Sequence, residues 1–276
     1  MQLSTLLLLL EGRAFFPSVA NLNKGDPFEG NLFCEPAWLI NRFVQPMADE
    51  DLQHWLIGKS KKWEKERLES QATDSSFRSQ IMANIYTREL RERRAAWCWF
   101  QSDLESAGMW SIYGHKGIAV RTSLEKLQSA LPDSRSFQIA RMRYVDRRPC
   151  AEKAFDAEGK DSQLILKLHL LKAVEYEHEH EFRVVTECPE KSGGVLVENL
   201  DWKALIEEII ISPLLPPQEV STIQTMLNKT WEAEISKPSR LLPDSSMDTN
   251  GDFVEAIRND NGGHYEQGLP AHIAKL

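Results

Sequence analysis

A chain of 276 residues with 42% hydrophobic and 9% aromatic side chains carries enough apolar material to bury a sizeable core, which excludes a mostly disordered or fibrous polypeptide. Its 41 acidic and 33 basic residues give a formal net charge of −8, a field that does not favour a nucleic-acid partner. Cys34, Cys98, Cys150 and Cys188 lie far apart with no C-x-x-C pair. That spacing suggests neither a disulfide scaffold nor a thiolate zinc site, and free thiols in a reducing cytoplasm are expected.

In chain order, Leu3, Leu6, Leu7 and Leu10 fall at helical spacing and Gly12 follows as a cap. The leucine run lacks a basic flank and is too short for a signal peptide, and no later stretch reaches the length of a membrane span. A cytoplasmic protein with no membrane partner is therefore expected. A helix this early normally packs on something before it, so a natural start further upstream is also expected. Ala14-Phe15-Phe16 reads as a strand ended by Pro17, and residues 23–27 carry turn chemistry leading into Phe28-Glu29-Gly30.

From Pro36 to Arg94 the periodicity is helical. Trp38, Leu39 and Phe43, then Leu52, Trp55 and Leu56, then Phe77, Ile81 and Ile85 are read as core stripes of a helical insertion over about 36–95. The basic clusters Lys59–Lys65 and Arg88–Arg94 are interleaved with Glu and read as solvated helix faces. Trp97–Phe100 is a buried strand. Ser102 and Glu105 form a capping box for a helix that bears Trp110 and Tyr113 and ends at Gly114.

Ile118–Thr122 is the next strand, and Thr122 with Glu125 caps a further helix. Phe137–Val145 reads as one strand with Ile139, Arg141 and Arg143 on one face, and Asp146–Asp161 as a loop. An apolar helix from Asp161 or Ser162 through Val174 then meets a strand at Glu177–Thr186. Val195–Val197 and Ile209–Ser212 are short strands around a helix at Trp202–Glu208. Pro216-Pro217 opens a last helix with Val220, Ile223, Leu227 and Trp231 on one stripe. Residues 236–276 turn polar and are expected to be a disordered tail. The expected fold class is α+β: one domain over 1–235, with a small mixed or antiparallel sheet and packed helices.

The strongest local signal is Tyr176-Glu177-His178-Glu179-His180-Glu181-Phe182-Arg183. As a strand it places Glu177, Glu179, Glu181 and Arg183 on one face and His178, His180 and Phe182 on the other. A row of carboxylates near a core repels itself unless a cation, a metal or a catalytic use compensates it. Arg183 can pair with one carboxylate, which leaves Glu179 or Glu181 for a ligand. The competing reading is a solvated edge strand whose charges block aggregation. His178 and His180 share a face but have no third ligand in an obvious motif, so no metal is assigned to them.

The residues Phe15-Phe16-Pro17, Asp26-Pro27-Phe28-Glu29-Gly30, Cys98-Trp99, Met109-Trp110 with Tyr113, and Gly117-Ile118-Ala119-Val120 form an ordered series. Lys172 with Tyr176, Glu179-x-Glu181-x-Arg183 and Ile211-Ser212-Pro213 complete it. In this order they resemble the bacterial DUF2971 family (domain of unknown function 2971) over most of residues 1–235. Two features depart from it: similar proteins begin with a Tyr-Arg-Tyr type strand, and the turn from Tyr113 to Gly117 is shorter here.

The layout is also similar to ADP-ribosyltransferases, which implies NAD as a cofactor, Glu181 as the catalytic carboxylate and Glu179 as the residue that orients the acceptor. On that analogy Trp110 and Tyr113 would stack on nicotinamide or adenine, in a toxin or phage-defence effector. A truncated, inactive member is the alternative. A second reading is a binding module for a small molecule or nucleotide, with Asp26, Glu29, Trp110, Tyr113, Lys172 and Arg183 contacting the ligand. A third is a metal-dependent hydrolase or nuclease with Asp26, Glu29, Glu179 and Glu181 as oxygen ligands.

Overall fold

The computed structural model describes residues 1–26, 29–30, 50–70, 75–114, 117–145, 169–189, 191–231, 235–241 and 272–275. Its helices in chain order are α1 (Leu3–Leu10), α2 (Val19–Leu22), α3 (Glu50–Lys59), α4 (Lys62–Ser70), α5 (Ser75–Arg93), α6 (Ala107–Tyr113), α7 (Leu124–Ala130), α8 (Trp202–Leu205) and α9 (Pro217–Trp231). Its strands are β1 (Ala14–Pro17), β2 (Arg94–Gln101), β3 (Ile118–Ser123), β4 (Gln138–Arg141), β5 (Arg143–Val145) and β6 (Leu171–Ala173). They continue with β7 (Glu181–Glu187), β8 (Gly194–Val197), β9 (Glu208–Ile211), β10 (Ser236–Pro238) and β11 (His272–Lys275). Helices beside antiparallel and mixed sheets make this an α+β protein. No described helix is long and apolar enough to cross a membrane. Where one domain was expected over 1–235, the chain divides into two compact units.

The first unit comprises residues 1–14, 99–132 and 198–276. Its strands run in the order β10-β9-β3-β11, with the end of β2 next to β11. β9 and β3 are antiparallel, with Ala119 opposite Ile210 and Arg121 opposite Glu208. α1 buries Leu6 and Leu9. It ends through Gly12 at φ 72°, where a Cβ would stand 3.1 Å from the Leu200 carbonyl oxygen. α9 buries Val220 and Leu227, and its Trp231 meets Trp202 edge-on at 5.3 Å.

Both capping boxes expected from the sequence are displaced. α6 is capped by Ser106, whose Oγ accepts from the Met109 amide, and Glu105 is spent elsewhere. α7 is capped by Ser123, one residue later than expected, through the Lys126 amide. In each case the nearest hydroxyl to the first helical turn takes the cap. Two strands lie in the stretch expected to be a disordered tail. β10 pairs in parallel with β9, and the Ser236 Oγ donates to Asn228 Oδ1 at 2.6 Å. β9 offered open ladder groups on that side, and a polar sequence can satisfy these with its backbone alone.

The second unit comprises residues 15–98 and 133–197. Its strands run β2-β7-β4, beside two-stranded pairs β5-β6 and β1-β8. Phe16 stacks on Trp97 with centroids 5.1 Å apart. α3, α4 and α5 share a cluster of Leu56, Leu68, Ile81, Met82 and Ile85. Arg88 ties these helices together by donating to Glu64 at 2.7 Å and to the Lys59 carbonyl at 2.8 Å. Trp55, expected in the core, is exposed on one side with Arg93 over its ring at 5.5 Å. Trp38, Leu39 and Phe43, the side chains of Leu52 and Phe77, and the expected loop at 146–161 lie outside the described residues.

Two expectations fail in this unit. The single strand over 137–145 breaks at Met142, whose amide donates to the Glu181 carbonyl at 2.9 Å, and β5 leaves to pair in parallel with β6. Where an apolar helix was expected to reach Val174, Leu171–Ala173 is a strand. Its leucines suit either state, and pairing with β5 decides.

Gly194 sits at φ 150° with β1 against it, and a Cβ there would overlap the Phe16 carbonyl oxygen and crowd Pro17 Cα. Gly194→Ala is therefore expected to cost about 1–3 kcal/mol in urea unfolding, because neither backbone can yield cheaply. A loss under about 0.5 kcal/mol would show that the β1-β8 pair is loose.

Candidate functional site

The segment at Glu177–Thr186 is not one strand. Val174–Glu179 forms a 3-10 helix, His180 takes a left-handed conformation at φ 37°, and β7 starts only at Glu181. Like-charged Glu177, Glu179 and Glu181 are thereby kept off one ladder. A tight turn ended by a left-handed residue lets Glu179 fold back toward Lys172. Within β7 the strand period is obeyed: Glu181, Arg183 and Val185 share a face, and all three are buried.

The turn and strand bring together most of the predicted site. The Arg183 side chain is 1% exposed and uses each of its five N–H donors. Two go to Glu29 in a fork, at 2.7 Å and 2.9 Å, and two to Glu181, at 2.7 Å and 3.0 Å. The fifth goes to the His169 carbonyl at 2.7 Å. Lys172 is likewise buried. Its ammonium donates to Glu179 and, at 3.2 Å, to Glu181, and lies 4.9 Å from the Tyr176 ring centre. The charges thus run Glu29, Arg183, Glu181, Lys172, Glu179, alternating in sign and carboxylate at both ends.

Three elements hold this chain of charges in place. Glu29 follows Asp26 in a turn where Asn23 donates to both of their carbonyls, at 3.2 Å and 3.1 Å. Asp26 is buried in that turn, and its carbonyl accepts from the Glu29 amide. Lys172 stands on β6 opposite Tyr144 of β5. The Tyr144 hydroxyl accepts from the Glu181 amide at 2.7 Å, which fixes the start of β7.

Burial would raise the pKa of Glu181, but the charges of Arg183 and Lys172 and a hydrogen bond from the Cys98 thiol outweigh it and bring it down to about 2. Burial would lower that of Lys172, and Glu181 and Glu179 reverse this into a net rise. For Tyr144, burial chiefly, with the Glu181 and Glu179 charges adding to it, pushes the phenol up to about 12. All three therefore keep one protonation state across the physiological range.

His169 was not foreseen in the sequence, although it is the one ionisable group in the apolar run Leu168–Leu171. It is 4% exposed, and its Nε2 donates to Gln138 Oε1 at 3.2 Å. Burial first, then the Arg183 and Arg94 charges, drop its pKa to about 3, so the imidazole is neutral. With Nε2–H given to Gln138, its other nitrogen, Nδ1, is a buried lone pair that has no hydrogen-bond partner among the described residues. Cys98, named in the sequence only as part of the Cys98-Trp99 motif, bonds the Glu181 carboxylate, and Tyr144, not singled out in advance, holds the Glu181 amide.

Trp110 and Tyr113 do not belong to this network. Both lie on α6 of the first unit, where Trp110 is buried against Ala119 and Ile210 and Tyr113 is half-exposed. Of the cleft expected from Trp110, Tyr113, Asp26 and the acidic row, Asp26 and the acidic row fall in the second unit and Trp110 and Tyr113 in the first. Among the described residues no group of three His, Cys, Asp or Glu side chains could hold a metal ion. Glu29, Glu179 and Glu181 are already held by Arg183 and Lys172, two cations that would repel one. No protein-family model matches the chain, and no match is found among the curated proteins or the solved structures.

Proposed function

We propose that this chain is a ligand-binding module of the family its motifs resemble, and that its second unit binds a small molecule, nucleotides included, through a hydrogen-bond donor. The observation that supports this is the Nδ1 of His169, a buried acceptor beside Arg183 that has no partner among the described residues. Leaving such an acceptor empty costs about 1–3 kcal/mol, which a ligand N–H or O–H would recover. The charge count points the same way. The network holds three buried carboxylates against two cations, an environment that favours neutral donor-rich groups over anions. A carboxamide, as on nicotinamide, or an exocyclic amine, as on adenine, has the required chemistry.

Binding is favoured over group transfer for a geometric reason. A carboxylate that steadies an oxocarbenium ion needs an oxygen facing it, and both Glu181 oxygens accept from Arg183 or Lys172. Titration calorimetry with NAD, nicotinamide and adenosine tests the reading on the full chain. At least one is expected to bind, and His169→Gln, which keeps a partner for Gln138 but removes the Nδ1 acceptor, should weaken it about tenfold. No binding by any of the three, or equal binding by the variant, would overturn it. Conversion of NAD to nicotinamide, abolished in Glu181→Gln, would instead support the transferase.

A further inference from the structure

The first unit contains a separate cavity of about 80 Å³. Its floor is set by strand register: Ala119 of β3 faces Ile210 of β9, and Trp110 of α6 packs across both. A small residue at 119, where a neighbouring strand supplies isoleucine, leaves the depression beneath the indole. Phe100, at the end of β2, closes one side.

The walls are fixed by two carboxylates whose oxygens are taken. Glu105 accepts from Trp110 Nε1 at 3.0 Å, from the Arg240 amide at 2.8 Å and from the Ser239 hydroxyl. One side chain thus orients the indole and pins the segment after β10 beside it. Glu208 lies between Arg121 at 3.3 Å and Lys237 at 2.7 Å. Burial would raise its pKa, and Lys237 and then Arg121 outweigh this and hold it below the usual carboxylate range, while Arg240 also lines the cavity. Among the described residues Arg121 and Lys237 each give one donor to Glu208, and their cationic heads stand at the mouth while these two carboxylates are held. Asp103 is the opposing rim carboxylate.

We infer that this cavity is a binding site for a small carboxylate with a flat or branched apolar body, the body on the Trp110–Ala119–Ile210 floor and the carboxylate on Arg121, Lys237 and Arg240. A guanidinium or ammonium at an apolar pocket's rim orients such a ligand and discriminates against its uncharged isostere. The volume suits one ring or a short branched chain, not a dinucleotide. The site is independent of the network in the second unit.

Benzoate, benzamide and benzylamine are probes of matched shape for calorimetry on the full chain. Benzoate is expected to bind about tenfold or more tightly than benzamide, and benzylamine not at all. Arg240→Ala, a surface change, should weaken benzoate about tenfold, and Asp103→Asn should tighten it severalfold. Ala119→Val fills the floor and should abolish binding, with the melting temperature as a check on folding. Glu179→Gln in the second unit should leave benzoate binding unchanged. Equal binding of benzoate and benzamide, absence of benzoate binding, or binding indifferent to both Arg240→Ala and Ala119→Val would overturn the inference.

Discussion

Arg183→Met is expected to destabilise the second unit by about 3–5 kcal/mol, the largest single-residue effect outside the apolar core. The guanidinium satisfies four carboxylate bonds and a backbone carbonyl while almost fully buried. Removing it leaves Glu29 and Glu181 without their main counter-charge in a medium that solvates them poorly. Urea unfolding at pH 7.5 gives the number. Arg183→Lys should recover little, since three ammonium donors cannot replace five fixed in a fork. Removing Glu29 and Glu181 together with Arg183, all as Met or Gln, should recover much of the loss, because the cost comes from the stranded charges. A loss under about 1 kcal/mol for Arg183→Met would mean that water reaches the network freely.

Stability should also fall on acidification in two stages. His169 takes up a proton near pH 6.5 when unfolded, but only near pH 3 when folded, since burial and then Arg183 and Arg94 oppose its charge. Its neutral burial therefore adds stability that is complete above pH 6.5 and drains away as the pH falls toward 3. Glu181 acts lower: its contribution is complete above about 4.5 and is lost between there and about 2. The first stage amounts to a few kcal/mol. Unfolding free energies measured between pH 7.5 and 4 should decline, and His169→Gln should flatten the upper part of the slope. A wild-type profile that is level from pH 7 to 5 would falsify the buried, neutral state of His169.

Much of the framework was legible because periodicity and punctuation agreed. The leucine spacing before Gly12, the β-branched run at Ile118–Thr122 and the stripe after Pro216-Pro217 each admit one local structure, and these elements formed. The acidic segment misled because Glu and His alternate with the period of a strand, while the repulsion between neighbouring carboxylates favoured a turn that separates them. Glu29, Lys172, Glu179, Glu181 and Arg183 still converged, since a buried charge must find an opposite one by whatever backbone path exists. Trp110 did not join them. Only the transferase analogy assigned its ring to stacking; the core reading of the same residue holds, with Glu105 five residues earlier accepting from the indole nitrogen. His169 was hidden within an apolar run, where its special feature is a buried Nδ1 with no partner among the described residues.

The path of the backbone has a consequence for biosynthesis. One unit is assembled from two stretches of chain and the other from three, with β2 crossing from one to the other at Cys98–Trp99. A polypeptide emerging from the ribosome reaches Val197 before the carboxylate–guanidinium unit has all its parts, and must go further before the other sheet can close on β9, β10 and β11. The turn that ends α1 therefore waits for a partner made almost two hundred residues later, the Leu200 amide that donates to the Gly12 carbonyl. Chains released before β9 is made should aggregate, and chains that stop after α9 should still lack the strand that pairs with both β3 and the end of β2.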